Sequence, residues 1–76
     1  FIDPKTKIQE IMQSKFKITP TYEIIKEEGP DHDKSFTVAL MKGKKKIVEG
    51  VGHSKQKAEE DAASNAIEIF ENEAES

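Results

Sequence analysis

The hydrophobic positions at the start of the chain follow the spacing of a helix. Residues of this apolar face recur every three or four positions and are Ile8, Ile11, Met12 and Phe16. Asp3-Pro4 is typical of a helix start, because aspartate caps free backbone N–H groups and proline fits the first turn. Ile18-Thr19-Pro20 ends the pattern, since the residue before a proline avoids the helical conformation. The sequence predicts a first helix from roughly Pro4 to Ser14.

The middle of the chain changes to the two-residue alternation of β-strands. The alternation is clearest in residues 35–42, where the large apolar side chains are Phe36, Val38 and Leu40. Residues 21–27 and 46–50 predict two further strands. Residues 28–33 contain glycine, proline and two aspartates and predict a loop. Gly43 and the three lysines that follow it predict a tight connection.

Helical spacing returns in the last third of the chain. One face carries six apolar residues, Ala58, Ala62, Ala63, Ala66, Ile67 and Phe70. Ser54 is a good helix N-cap. Because most of the face is alanine, the helix backbone can approach its neighbours closely. We expect the helix to fray near Asn72 and residues 72–76 to form an acidic flexible tail.

The predicted element order is helix, three strands, helix. Strands joined by short connections form an antiparallel meander, and the two helices must cover one face of that sheet. The sequence therefore predicts an α+β fold of the order α-β-β-β-α, with a three-stranded antiparallel sheet and both helices packed on one face. We expect residues 1–71 to form this single domain.

Charge is distributed unevenly over the 76 residues. The net charge is −3, but residues 34–57 carry seven lysines and one glutamate, whereas residues 58–76 carry seven acids and no basic residue. The basic middle could bind a polyanion, or it could be a solvated surface. The chain has no cysteine and no run long enough to span a membrane, which fits a cytoplasmic protein. It starts at Phe1, and we expect it to be a fragment of a longer protein.

Several short motifs do not support catalysis or cofactor binding. Gly50-Val51-Gly52 lacks the third glycine of a dinucleotide site, since that position is Lys55. Gly43-Lys44 lacks the first glycine of a phosphate loop, since that position is Val38. Asp31-His32-Asp33 has no partner cluster and is better explained as a solvated turn than as a metal site. We expect no catalytic residue, metal or cofactor in this chain.

The start of the last helix offers a phosphate site. Free backbone N–H groups and the positive end of the helix dipole lie at Ser54, beside the ammonium groups of Lys55 and Lys57. Taken alone, such lysines are usually only solvated.

The order of motifs resembles the double-stranded RNA-binding domain over about residues 3–71. The matching positions are Thr6, Gln9 and Glu10 after Asp3-Pro4-Lys5, then Tyr22, then Gly29-Pro30, His32 and Phe36, and finally Gly50, Gly52, Ser54, Lys55, Ala58, Glu59, Ala62 and Ala63. The opening Asp-x-Lys-Thr-x-Ile-Gln-Glu further resembles the C-terminal domain of ribonuclease III.

The resemblance implies the α-β-β-β-α fold and three RNA contacts. The first helix would meet one minor groove through Thr6, Gln9, Glu10 and Gln13. Pro30 and His32 would enter the next minor groove. Ser54, Lys55, Gln56 and Lys57 would contact the phosphates between the two. Such a body reads A-form shape over about 16 base pairs, and Glu10 would accept from a 2′-hydroxyl that DNA lacks.

The resemblance also implies a parent protein. It would be an endoribonuclease that processes rRNA in the cytoplasm, with magnesium in a separate nuclease domain through which it forms a homodimer. We expect the isolated domain to be a monomer.

One departure and one alternative accompany this interpretation. The family usually has lysine where this chain has Gln56, and the chain contains no arginine, so we expect weak, salt-sensitive binding. The alternative is a protein-interaction module on the same fold that has lost RNA affinity. Gln56 and the acidic end favour this alternative, whereas the polar first helix, His32 and Lys55 disfavour it.

Overall fold

The predicted order of elements is confirmed. The computed structural model describes residues 3–75. Its elements are α1 (Pro4–Phe16), β1 (Thr21–Glu28), β2 (Ser35–Lys42), β3 (Lys45–Gly52) and α2 (Lys55–Glu75). The strands form one antiparallel sheet in the order β1-β2-β3, and the helices pack on it as predicted for the α+β class.

Pairing across the sheet aligns large side chains under the helices. Tyr22 of β1 lies opposite Leu40 of β2, which lies opposite Val48 of β3. The register shifts at Ile25 in β1 and at Ile47 in β3, each of which has no direct partner on β2. Such bulges increase the local twist of the two edge strands.

The core joins both helices to the central strand. It is built from Ile8, Met12, Leu40, Ala62, Ala63, Ala66 and Phe70. The predicted face of α2 is confirmed, because its alanines are fully buried while Ile67 is half-buried. This seven-residue cluster has only four side chains larger than alanine, so close backbone approach must supply much of the packing.

Two glycines of β3 permit that approach. A Cβ atom on Gly50 would lie 2.1 Å from the backbone nitrogen of Ala62. A Cβ atom on Gly52 would lie 2.6 Å from the backbone nitrogen of Ala58. The Gly50–Gly52 pair therefore has a packing role, in that it seats the first turns of α2 directly on the sheet.

Several predicted boundaries were too short. Helix α1 continues past Ser14 to Phe16 and ends where Lys17 adopts a left-handed conformation with φ 59°, its N–H donating to the Gln13 carbonyl at 3.1 Å. Strand β3 begins at Lys45 and runs to Gly52, so the tight connection contains residues 43–44 alone.

The end of α2 also differs from the prediction. The helix continues beyond Asn72 to Glu75. The domain boundary at residue 71 and the flexibility of residues 72–76 stay predictions, and Ser76 lies outside the described residues.

Side chains of α2 also cover the free edge of β3. The Asp61 carboxylate accepts from the backbone N–H of Val51 at 2.9 Å, and the Asn65 amide donates to the carbonyl of Glu49 at 3.0 Å. These bonds satisfy backbone groups that an edge strand otherwise presents to solvent or to another chain.

Candidate nucleic-acid interface

The polar face of α1 is exposed because its opposite face is buried. Ile8 and Met12 are fully buried, which directs the remaining positions of the helix outward. The four predicted contact residues on this helix are all exposed, and they are Thr6, Gln9, Glu10 and Gln13. The helix start is held by the Asp3 carboxylate, which accepts from the backbone N–H of Thr6 at 3.3 Å. We call these four residues the α1 polar face.

The loop between β1 and β2, residues 29–34, is a defined turn. The backbone N–H of Asp33 donates to the carbonyl of Pro30 at 2.9 Å. Gly29 has φ +94°, and a Cβ atom there would lie 2.5 Å from the Asp33 carbonyl oxygen, so the turn requires glycine at this position. Pro30 and His32, the predicted contact residues, are both exposed.

The start of α2 has the predicted cap. The Ser54 hydroxyl accepts from the backbone N–H of Lys57 at 3.1 Å. The other N–H groups of the first turn have no acceptor within the helix. Lys55, Gln56 and Lys57 are exposed, and Ser54 is half-buried. We call residues 54–57 the α2 start. Its cations and N–H groups suit an anionic ligand such as a phosphate.

His53, which is outside the predicted contact residues, joins the loop to the α2 start. His53 Nδ1 lies 3.2 Å from the Lys34 carbonyl oxygen and 3.5 Å from an Asp33 carboxylate oxygen. Because a carbonyl oxygen can only accept, the first contact places a proton on Nδ1. His53 precedes Ser54 directly, so one side chain connects the loop to the helix cap. No local pattern announces this role, which arises from strand pairing that brings residues 19 positions apart together.

A second group of side chains joins α1 to the first turns of α2. The Lys5 ammonium forms an ion pair with the Glu59 carboxylate and lies 5.2 Å from the centre of the Tyr22 ring. The Tyr22 hydroxyl is buried and has no hydrogen-bond partner among the described residues. Burial, reinforced by the negative charges of Glu59 and Asp3, raises the pKa of Tyr22 to about 12. This group fixes α1 relative to the α2 start while leaving its polar face free.

The candidate residues are therefore held by residues outside the candidate set. Within residues 3–75, no hydrogen bond or ion pair connects side chains of the α1 polar face, the loop tip and the α2 start to one another. His53 and the Lys5–Glu59 pair make the connections instead. An arrangement of separate exposed contacts on a fixed body suits a large rigid ligand better than a small molecule.

Two features are absent from the described part of the chain. Residues 3–75 contain no group of three or more acidic or histidine side chains arranged to hold a metal ion. Over the same residues, neither helix has the length and apolar character needed to cross a membrane.

Comparisons with known proteins agree with the geometry. The family model described as the double-stranded RNA binding motif matches residues 4–69. Ribonuclease 3 of Lactococcus lactis subsp. cremoris is 50% identical over 66 residues, covering 87% of this chain and 29% of that protein. Ribonuclease 3 of Borreliella burgdorferi is 49% identical over 72 residues, covering 95% of this chain and 29% of that protein. Ribonuclease 3 of Geobacter metallireducens is 46% identical over 68 residues, covering 90% of this chain and 28% of that protein.

The chain spans less than a third of the length of the curated relatives it matches. The matched segment contains every element of the fold except the last turns of α2, and the chain belongs to the double-stranded RNA binding motif family.

Proposed function

We propose that this domain binds double-stranded RNA by its A-form shape and serves as the RNA-binding domain of a ribonuclease III-type endoribonuclease. The observation that carries the proposal is the fixed arrangement of three exposed contact surfaces by two sets of side chains, His53 with the loop and Lys5 with Glu59. Family membership supports RNA binding over the protein-interaction module. The ten candidate RNA contacts are exposed except for Ser54, which is half-buried, so a duplex can reach them.

Each surface has groups suited to one part of an RNA duplex. On the α1 polar face, amide, hydroxyl and carboxylate groups can bond 2′-hydroxyls in a minor groove. Pro30 and His32 present a compact tip that can enter the next minor groove. Lys55 and Lys57, with the capped helix start, can contact the intervening phosphates. None of these contacts reads a base sequence, so the domain would tolerate many duplexes.

The nuclease activity is proposed for the parent protein. The relatives are ribonucleases of more than three times the length of the matched segment, which leaves room for a separate catalytic domain. We propose that such a domain supplies the carboxylates and magnesium for RNA hydrolysis and forms the homodimer. We further propose that the isolated domain is a monomer and that the parent processes rRNA in the cytoplasm.

A mobility-shift titration tests RNA binding directly. We expect an RNA duplex of about 20 base pairs to bind several-fold more tightly than a DNA duplex of the same sequence, because DNA lacks the 2′-hydroxyls. An RNA duplex of about 8 base pairs is the matched control. It is too short to offer two minor grooves to a body that spans about 16 base pairs, so its affinity should fall sharply. Equal affinity for the three duplexes would contradict the proposal.

A further inference from the structure

A groove lies at the end of β2 opposite the loop of residues 29–34 and the α2 start. It has a volume of about 370 Å³ and an apolar floor of Phe16, Ile47, Ile69 and Phe70. Phe16 is 40% exposed and Ile69 is 37% exposed, so the floor is open to solvent. The Phe16 and Phe70 rings lie 5.8 Å apart at a tilt of 55°. Because the rings are tilted and packed on each other, they form a pocket wall and not a flat platform for stacked bases.

The rim of the groove is mainly cationic. Lys42, Lys45 and Lys46 line it, with Glu73 as the single acid among the lining residues. The Lys42 ammonium lies 4.1 Å from the centre of the Phe16 ring, so this cation is held against the apolar floor. Lys46 forms an ion pair with Glu49. Lys45 is exposed. A positive rim around an apolar floor is complementary to a ligand that is acidic and apolar at once.

The groove is separated along β2 from the loop and from the α2 start. The loop of residues 29–34 precedes β2, whereas the turn of residues 43–44 follows it, so the two lie at opposite ends of an eight-residue strand. At about 3.4 Å per residue the separation is about 25 Å. The α2 start lies beside the first end, and Ile69 and Phe70 lie beside the second. Gln13, the end of the α1 polar face, lies one helical turn before Phe16 of the groove, and no residue belongs to both sites.

We propose that this groove binds an acidic peptide segment that carries one or two large apolar side chains. The apolar side chains would enter between Phe16 and Ile69, and the carboxylates would pair with Lys42 and Lys45. Charge complementarity selects the acidic segment, and the open apolar floor distinguishes the site from a phosphate-binding surface. The domain would thereby recruit a protein partner through an acidic segment of that partner, without releasing RNA.

An NMR titration of the ¹⁵N-labelled chain tests the proposal. The probe is a synthetic peptide of glutamates with Phe and Leu four residues apart. One control peptide has serines in place of Phe and Leu, and another has lysines in place of the glutamates. We expect the first peptide to change the chemical shifts of the groove residues alone. Both control peptides should bind at least five-fold more weakly. Equal binding of the serine peptide would show that only charge is recognised and would overturn the proposal.

Variants locate the site and separate it from RNA binding. We expect Lys45→Glu to weaken the acidic peptide at least five-fold and to improve binding of the lysine peptide. Ile69→Ser should weaken binding of the acidic peptide and leave RNA affinity unchanged. The matched control is Lys55→Glu, which should weaken RNA binding and leave peptide binding unchanged. If a 20-base-pair RNA displaces the peptide, or if Lys45→Glu weakens RNA as much as Lys55→Glu does, the groove is an RNA contact and the proposal is wrong.

Discussion

The α-carbon of Gly50 faces the backbone of Ala62 so closely that a single added methyl group would overlap it. A Cβ atom at this position would lie 2.1 Å from the Ala62 nitrogen and 2.5 Å from the Ala58 carbonyl oxygen. The obstructing atoms belong to helix backbone, which cannot rotate away as a side chain can. Seating α2 on β3 therefore depends on the absence of a side chain at this position.

Gly50→Ala should destabilise the domain by about 3 kcal/mol, because α2 must move away from the sheet or distort. Urea denaturation followed by circular dichroism measures the change in the free energy of unfolding. Val51→Ala is the matched control on the same strand. Val51 is 54% exposed, so its truncation should change the free energy by about 0.5 kcal/mol or less. Equal effects of the two substitutions would contradict the close-packing account.

Local patterns predicted the order of elements in this fold, and they predicted bounds best where the periodicity is strong. The alternation of Phe36, Val38 and Leu40 predicted β2 with its correct bounds, and the alanine face predicted which side of α2 is buried. Family motifs supplied the candidate contact residues. All ten are exposed or half-buried, but their contacts with RNA stay a prediction.

What the sequence did not reveal depends on contacts between distant residues. The bulges at Ile25 and Ile47 arise from pairing register, which alternation within one strand does not specify. The sequence places Asp61 on the surface of α2, and only the fold shows that its carboxylate accepts from the backbone N–H of Val51 at the edge of β3. The link from His53 to Lys34 has the same cause. Sequence patterns predict helices and strands well. The hydrogen bonds of Asp61 and His53 form between residues that only the folded sheet brings together.

Replacing the buried hydroxyl of Tyr22 should not destabilise the domain. This hydroxyl has no hydrogen-bond partner among the described residues, and Tyr22→Phe keeps the ring beneath Lys5. We expect the free energy of unfolding at pH 7 to stay unchanged or to rise by up to about 1 kcal/mol. Thermal and urea denaturation give the measurement.

The same variant should alter the alkaline limb of the stability profile. The pKa of Tyr22 is raised from 10.0 to about 12 in the folded protein, so the folded state retains its proton more strongly than the unfolded state. This contribution to stability is complete below about pH 10 and is lost as the pH rises towards about 12. Tyr22→Phe should therefore lose less stability than the parent chain over this range. Identical profiles would contradict the raised pKa.

Removing the cations of the α2 start should weaken duplex RNA binding without unfolding the domain. We expect Lys55→Ala with Lys57→Ala to reduce affinity several-fold, since both side chains are exposed and suited to phosphates. The Ser54 cap uses the backbone of Lys57, so it survives the substitution. The matched control is Lys44→Ala with Lys45→Ala, which removes the same charge from the opposite end. Equal losses from the two pairs would indicate a non-specific effect of charge.

Duplex affinity should fall steeply with salt. About two to four phosphate contacts predict a decrease of about ten- to hundred-fold between about 50 and 200 mM monovalent salt. Fluorescence anisotropy with a labelled RNA duplex measures this slope. Because counterion release scales with the number of phosphates neutralised, the Lys55→Ala, Lys57→Ala variant should show a shallower slope. A flat slope, or a slope that the two substitutions leave unchanged, would contradict the proposed contacts of Lys55 and Lys57 with RNA phosphates.

His53 should act on RNA binding through the loop it holds. Without the contact to the Lys34 carbonyl, the loop can move relative to the α2 start, so His53→Ala should lower RNA affinity several-fold. His53→Asn is the conservative variant, since its amide can still donate to that carbonyl, and it should recover part of the loss. Backbone ¹⁵N relaxation of residues 29–34 should report greater motion in His53→Ala than in the parent chain.

A double-mutant cycle separates this positioning role from direct contact. If His53 works by placing His32 in the minor groove, the loss from His32→Ala should shrink once His53 is already alanine. The combined variant should then bind more tightly than the product of the two single losses predicts. If the losses simply multiply, His53 does not act through the loop tip. Because His53 is itself 74% exposed, multiplied losses would assign it a separate contact with RNA.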